Sequence, residues 1–327
     1  MKKIIGIMAI KNAISQGYPF LEAIYSFLKW GDELYLGDDS NDGTETILDT
    51  IKLSNKIKLF KIKWPSDSKL IAKGGVIAHV HNELLKNVKL HNKDAMVFYL
   101  QANEITHEDS YEELRNLYNL YPNYIGYLLP YQVFVGPYMI QDSTWRVRYA
   151  STKYNLRILG DGTHMEITGE LSFSSFIKEY AYELYRYISL KEYYFRNFRR
   201  FNKYYKLAYL PKPIFRYGIM FPKNVFSKME GHAKVYTGIN LYKNLNTTNS
   251  WPGYLYNLSK NKKFNDVNKF YELASKSMCK DNSESKQRSG LAVEPKLVKD
   301  HPKIMRGLLE QQKYKPREGV IQKIINL

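Results

Sequence analysis

The chain has 327 residues and a single cysteine, Cys279, with 49 Lys+Arg against 32 Asp+Glu for a net charge of +17. At 44% hydrophobic residues it can bury a core, which excludes a wholly disordered chain, and one cysteine excludes an internal disulfide framework or a multi-thiolate zinc site. No apolar run reaches the roughly 18 residues of a membrane-spanning helix, and the short apolar run after Lys3 is interrupted too soon for a secretion signal, so the sequence reads as cytoplasmic.

The charge is uneven. Residues 1–170 hold 19 Lys+Arg and 20 Asp+Glu, a net −1, whereas residues 171–327 hold 30 and 12, a net +18. Such asymmetry suits a basic region facing nucleic acid, anionic lipid head groups or a phosphorylated substrate; a lysine-rich solvated surface would give the same count.

In chain order, residues 3–10 are an apolar run of the kind that forms a strand buried on both faces. Phe20, Leu21, Ile24, Phe27 and Leu28 recur at helical spacing, which predicts a helix within residues 18–30 closed by Gly31. Residues 33–37 form the next strand, 38–43 a dense turn signal, and 44–52 a helix. Residues 57–62 alternate as a strand, Gly74 and Gly75 open a helix reaching Asn87, and residues 95–100 are another buried strand, ending in Gln101-Ala102-Asn103-Glu104. Strands separated by helices predict an α/β fold with a mostly parallel central sheet flanked by helices, and ligands of such sheets bind beyond the C-terminal strand ends.

After residue 120 the pattern turns to short strands. A helix follows, in which Phe173, Phe176, Ile177, Tyr180, Ala181, Leu184, Tyr187 and Ile188 keep a 3.6 period. Residues 191–206 interleave aromatics with Arg196, Arg199, Arg200, Lys203 and Lys206. The chain therefore divides into a core over 1–170, a helical, basic C-terminal extension over 171–280, and a linker and tail over 281–327. Residues 280–300 are polar and read as a loop, and His301 to Arg306 as the part of the tail that packs back on the core. No internal repeat is present.

Carboxylates at a strand exit can hold ribose hydroxyls or base N–H groups, ligate a divalent metal, or cap the next helix. The cluster Asp38-Asp39-Ser40-Asn41-Asp42-Gly43-Thr44 allows all three, and one sheet would bring the second polar exit, 101–104, alongside it.

Residues 3–170 resemble the family 2 glycosyltransferases, nucleotide-sugar-dependent enzymes with the Rossmann-like GT-A fold. The resemblance is carried by Ile7-Met8-Ala9-Ile10-Lys11-Asn12, by residues 31–44 with their Asp38-Asp39-Ser40, by a helix containing Asn82, and by Tyr99-Leu100-Gln101-Ala102-Asn103-Glu104-Ile105. It is tightest at 31–44 and looser at Trp145-Arg146-Val147-Arg148 and His164-Met165-Glu166. It implies that Asp39 accepts from the N–H of a uracil-type base, with Asp38, Ala9 and Lys11 lining the same pocket and Lys73 reaching phosphate or base. Gln101, Ala102 and Asn103 would line the nucleotide where the family carries Asp-x-Asp.

Both carboxylates of that motif are amides here. Asn103 and Glu104 remain as candidate ligands for Mn²⁺ or Mg²⁺, weaker for the lost charge; otherwise lysines neutralise the leaving diphosphate. The implied reaction is an inverting single displacement at the anomeric carbon of a UDP- or GDP-sugar. Glu166 is the first candidate base, Asp161 and Asp142 stand behind it, and His164 would orient the acceptor or bind phosphate. The acceptor would be a glycan or a lipid-linked sugar, with residues 191–206 docking on the inner face of an anionic membrane. Two alternatives stay open: a non-catalytic relative of such enzymes, and a basic module that stacks single-stranded nucleic acid on its aromatics.

Overall fold

A computed structural model describes residues 2–66, 75–159, 164–168, 207–210, 212–229, 266–279 and 291–327. The chain opens with β1 (Lys3–Ile10), α1 (Ala13–Gln16), α2 (Phe20–Leu28), β2 (Glu33–Asp38), α3 (Thr44–Ile51) and β3 (Ile57–Lys61). Next come α4 (Gly75–His91), β4 (Ala95–Tyr99), β5 (Glu104–Thr106) and α5 (Tyr111–Leu120). Four of these strands lie in the order β3-β2-β1-β4, all parallel. The parallel pairing brings the exits of β1, β2 and β4 to one edge.

The apolar character of β1 has a direct structural cause. Ile4, Met8 and Ile10 pack with α2, α3 and the α5 residues Leu114 and Leu117 on one face. Ile5 and Ile7 pack with Ala78, Leu84, Leu85 and Val88 of α4 on the other. A strand covered on both faces has no solvent side to carry polar residues. Closeness on the α2 face is set at Gly6, where an added Cβ would lie 2.7 Å from Leu34 and Phe27.

Beyond β4 the sheet becomes mixed. β6 (Gly126–Val135) and β7 (Tyr138–Ser151) form a long antiparallel hairpin with β7 against β4. β11 (Ile214–Ile219) runs parallel to β6 and pairs with β5, β10 (Leu207–Tyr209) lies along β6, and β12 (Leu291–Leu297) pairs with β7. β8 (Asn155–Leu159) and β9 (His164–Thr168) form a separate two-stranded sheet. Asn82 of α4 holds it, donating to the Ile158 carbonyl at 2.9 Å and accepting from the Ile158 amide at 2.8 Å.

Helix α6 (Val267–Cys279) packs Phe270, Tyr271 and Ala274 on Val135, Ile140 and Ile219. Helix α7 (Glu318–Ile325) lies against α2 and α3, and the chain just before it is tied down by Glu22, which accepts from the Tyr314 hydroxyl at 3.1 Å and Arg317 Nη2 at 2.9 Å. His301 is buried, with Nδ1 at 2.8 Å from the Tyr217 hydroxyl.

Three expectations change. The strands after residue 120 are long, ten residues in β6 and fourteen in β7, because hairpin pairing spans the apolar stretch and Pro130 is accommodated within it. The segment read as a helical extension contributes β10 and β11 to the sheet, consistent with the β-branched and aromatic content of Ile214-Phe215-Arg216-Tyr217. Residues 291–297, read as loop, pair at the side of β7, a position that tolerates Pro295. The helical and aromatic–basic stretches at 173–206 lie outside the described residues, as does most of the 280–290 linker. Among the described residues, no helix is long and apolar enough to cross a membrane.

Candidate functional site

The exits of β1 and β2 are joined by a network that begins with the backbone. Asn12 adopts the left-handed conformation, φ 50°, which turns the chain sharply at the end of β1. Its amide donates to Ser40 Oγ at 2.9 Å, and its side-chain oxygen accepts from the Asn41 amide at 2.9 Å. Asp42 accepts from the Ser15 amide at 2.7 Å and from the Thr44 amide at 3.1 Å. Burial would raise the Asp42 carboxyl, but these bonds outweigh it and hold it below the usual carboxylate range. Asp42 is thus a structural clamp that fixes the turn around Asp39.

The two adjacent aspartates divide their tasks. Asp38 is buried, pairs with Lys61 at 2.6 Å and accepts from the Ser40 amide at 3.0 Å. Asp39 is half-buried. Its Oδ2 accepts from Lys11 at 2.5 Å and from the Trp64 amide at 3.0 Å, while Oδ1 accepts no hydrogen bond among the described residues. Burial raises the Asp39 carboxyl, and Lys11, the Trp64 amide and Lys63 together bring it below its ordinary value. The anion is therefore held ready at neutral pH, with one oxygen available to accept an N–H.

Ala9 lines this exit through its backbone. Its amide donates to His81 Nε2 at 3.2 Å, and His81 Nδ1 donates to the Ile77 carbonyl at 2.8 Å. Those roles require the neutral ring, and burial depresses its pKa to about 4. Sequence reasoning did not single out His81 or Trp64. Trp64 follows β3, the outermost parallel strand, and its ring stands 5.6 Å from the Lys11 ammonium, forming an aromatic wall beside Asp39. An aromatic directly past a strand exit was the available signal.

The exit of β4 is different in kind. Glu104 and Arg148 are 1% and 0% exposed and pair at 2.6 Å through Oε1 and Nη2. The other Glu104 oxygen accepts from the Gln101 amide at 3.0 Å. Asn103 is buried and donates through Nδ2 to the Tyr217 carbonyl at 2.9 Å, and Gln101 donates to the Tyr99 hydroxyl at 3.1 Å. Ala102 is buried between them. Of the expected metal ligands Asn103 and Glu104, it is Glu104 that fits poorly: each of its oxygens accepts a bond inside the fold, and a divalent cation there would face Arg148.

Around this exit, cations accumulate. The guanidinium carbons of Arg146, Arg148 and Arg216 lie 5.8, 5.4 and 5.6 Å from the centroid of the Tyr131 ring, and Arg148 also stands 4.6 Å from Tyr99. Burial raises the Tyr131 hydroxyl, but the three guanidinium charges outweigh it and lower its pKa. Lys228 is buried 4.2 Å over the Tyr18 ring and is brought to about 7, by burial first and by the Arg216 charge second. Asn224 fastens this segment to the β1 exit by donating to the Ile14 and Ser15 carbonyls at 3.0 and 2.9 Å. Arg146 and Arg148 sit in the Trp-Arg segment of the resemblance; Arg216 and Lys228 come from later in the chain, and only the fold brings them here.

The remaining candidates lie elsewhere. Glu166 is on β9 opposite Arg157, between Met165 and Ile167, which are buried. Its strand belongs to the two-stranded β8–β9 sheet, not to the sheet that carries the exits of β1, β2 and β4. His164 starts the same strand, while Asp161 and Lys73 lie outside the described residues, as do the side chains of His164 and Asp142. One further group, His107, Asp109 and Asp300, brings its potential ligand atoms within 4.8 Å of one another and can hold a metal ion. It follows β5, which runs antiparallel to β11 and carries it roughly 10 Å back from the strand exits.

No protein-family model matches the sequence, and no curated protein sequence matches it. Solved structures with some likeness include TarS of S. aureus, at 13% identity and a TM-score of 0.38 over 86% of this chain and 49% of that one. They also include its 1–349 fragment, at 11% identity and 0.34 over 85% and 80%. A third is 4-diphosphocytidyl-2C-methyl-D-erythritol synthase from Anaerococcus prevotii, at 11% identity and 0.30 over 64% and 87%. The chain thus spans about half the length of the longer TarS structure. Likenesses of this size carry no argument about the reaction; the α/β architecture rests on the strand order and register, and the site on its own geometry.

Proposed function

We propose that the protein is a glycosyltransferase that moves a sugar from a UDP- or GDP-type donor to a glycan or lipid-linked acceptor by inverting single displacement. The observation that supports this most directly is Asp39. Its carboxylate is fixed by Lys11 and the Trp64 amide, keeps Oδ1 without a hydrogen bond among the described residues, and stands beside an aromatic wall at the C-terminal edge of a parallel sheet. That is the equipment for holding the N–H edge of a nucleobase, in the place where open α/β sheets bind ligands. The resemblance at 31–44 points the same way.

Asp38 and Ala9 shape the pocket from the backbone side, and Gln101, Ala102 and Asn103 border it at β4. Lys73 remains a candidate contact to phosphate or base. Displacement at the anomeric carbon needs a base for the acceptor hydroxyl and positive charge for the departing diphosphate. Glu166, with Asp161 and His164 near it in sequence, is retained as the candidate base. The aromatic–basic stretch 191–206 would carry the acceptor or its membrane.

Calorimetric titration with UDP and GDP tests this reading. The parent should bind one of them, and Asp39→Asn, which cannot hold Lys11 and a base N–H with the same charge, should weaken binding at least tenfold. Glu166→Gln should leave nucleotide affinity within twofold while transfer falls. Unchanged affinity in Asp39→Asn would remove the pocket assignment.

A further inference from the structure

A buried guanidinium normally finds hydrogen-bond acceptors for its N–H groups, because an unpaired charged donor away from water is costly. Arg148 departs from this. It is 0% exposed, gives Nη2 to Glu104, and leaves Nε and Nη1 without a partner among the described residues. Lys228 departs in the same way: it is 7% exposed and its ammonium has no hydrogen-bond partner among the described residues.

The two are parts of one cationic region. Arg148 and Arg216 approach the same face-lining ring, Tyr131, and the Arg216 charge reaches Lys228. The oxygens of Glu104 already accept from Arg148 and the Gln101 amide, and neither reaches Lys228. Donors held inside a fold without acceptors are preorganised for an anion that arrives from outside.

The region also has a position. Arg148 lies on β7 where it pairs with the end of β4, and Asp39 follows β2, with β1 and β4 between them, so the cations begin about three strand spacings, roughly 14 Å, from the Asp39 carboxylate. Asp39 and the cations therefore sit at two ends of one strand-exit edge, a span that an extended nucleoside diphosphate can bridge. We infer that Arg148 and Lys228, supported by Arg216, bind the diphosphate of a nucleoside-diphosphate ligand without a divalent metal, taking the place of the cation that the amides Gln101 and Asn103 and the spent carboxylate of Glu104 cannot hold. The inference rests on the nucleotide-sugar reading for the identity of the diphosphate, and on the unpaired donors for the absence of metal. In the reaction, the bond from the anomeric carbon to the diphosphate oxygen breaks as the bond to the acceptor oxygen forms. The electron pair leaves with the diphosphate into this cationic region, and the acceptor proton goes to the base.

The full chain is titrated with inorganic pyrophosphate, UDP and uridine, each in EDTA and in Mn²⁺. Pyrophosphate and UDP should bind in EDTA with affinities within threefold of those in Mn²⁺. Lys228→Met should weaken both at least tenfold while leaving uridine unchanged. Because Arg148→Met alone strands Glu104, the paired variant Glu104→Leu with Arg148→Met is used instead, and it should weaken pyrophosphate similarly. Binding of pyrophosphate and UDP that needs Mn²⁺, or a Lys228→Met affinity within twofold of the parent, overturns the inference. If UDP then still depends on Asp39, the nucleotide reading survives that failure. Conversely, metal-free pyrophosphate binding with no response of UDP to Asp39→Asn sustains the anion site and removes the nucleotide reading.

Discussion

Replacing Glu104 by Gln separates two roles that the sequence alone leaves undivided, metal ligand and buried counter-charge. In the structure each carboxylate oxygen accepts one bond, Oε1 from Arg148 at 2.6 Å and Oε2 from the Gln101 amide at 3.0 Å. Gln keeps the shape but supplies one acceptor and one amino group. Whichever way it is turned, either Arg148 or the Gln101 N–H faces a donor, and the Arg148 charge loses its counter-charge inside the fold. Removing one partner of a buried pair costs about 3–5 kcal/mol. At about 2 °C per kcal/mol for a chain of this size, the metal-free protein should melt about 6–10 °C lower. Removing both charges, as in Glu104→Leu with Arg148→Met, should recover most of that, to within about 1–2 kcal/mol of the parent. Differential scanning calorimetry in EDTA reads both variants. A metal ligand would behave otherwise: Glu104→Gln would leave the EDTA melting temperature within about 1 °C and abolish a rise caused by Mn²⁺. That outcome would refute the counter-charge argument.

Two further outcomes follow from groups placed by packing. His81 is held neutral with a pKa of about 4, below its ordinary 6.5, so its contribution is complete above pH 6.5 and is lost as pH falls through about 4. Urea unfolding of the parent between pH 7 and 4.5 should show a loss on the order of 3 kcal/mol from this group. His81→Leu should lack that component, at a cost of about 1–3 kcal/mol for the unpaired Ala9 amide, and identical pH slopes would contradict the assignment. Gly136 turns β6 into β7 at φ 54°, where an added Cβ would lie 2.3 Å from the Tyr271 ring. Gly136→Ala should cost about 1–2 kcal/mol for the backbone alone, with more from displacing α6. A loss confined to the backbone's about 1–2 kcal/mol on denaturant unfolding would mean that α6 does not pack on this turn.

The parallel half of the sheet was legible because its signals are local. β1 and β4 are apolar along their whole length because both faces are covered, α2 shows its stripe, and Gly31 and the 38–43 cluster mark ends and turns. The place of Asp39 directly past the β2 exit was legible too, from the turn signal that follows an apolar strand. β11 and β12 were not. Each is a single strand whose partners, β5, β6 and β7, are distant in the chain, and strand pairing over such separations leaves little local trace.

Composition and local pattern by themselves determined an α/β chain with polar strand exits and a positive C-terminal part. Only the tertiary structure decided what the charges do. Glu104 reads in sequence as an anion next to two amides, yet its ligand atoms are turned inward and consumed by Arg148, 44 residues away. Lys228 and Arg216 read as two of 49 positive residues, yet Lys228 is buried within reach of the Arg216 charge, which makes it unlike the rest. The physical reason is that a charge's effect depends on its solvation and on the groups facing it. Sequence records the charge, while the environment exists only once distant segments have packed.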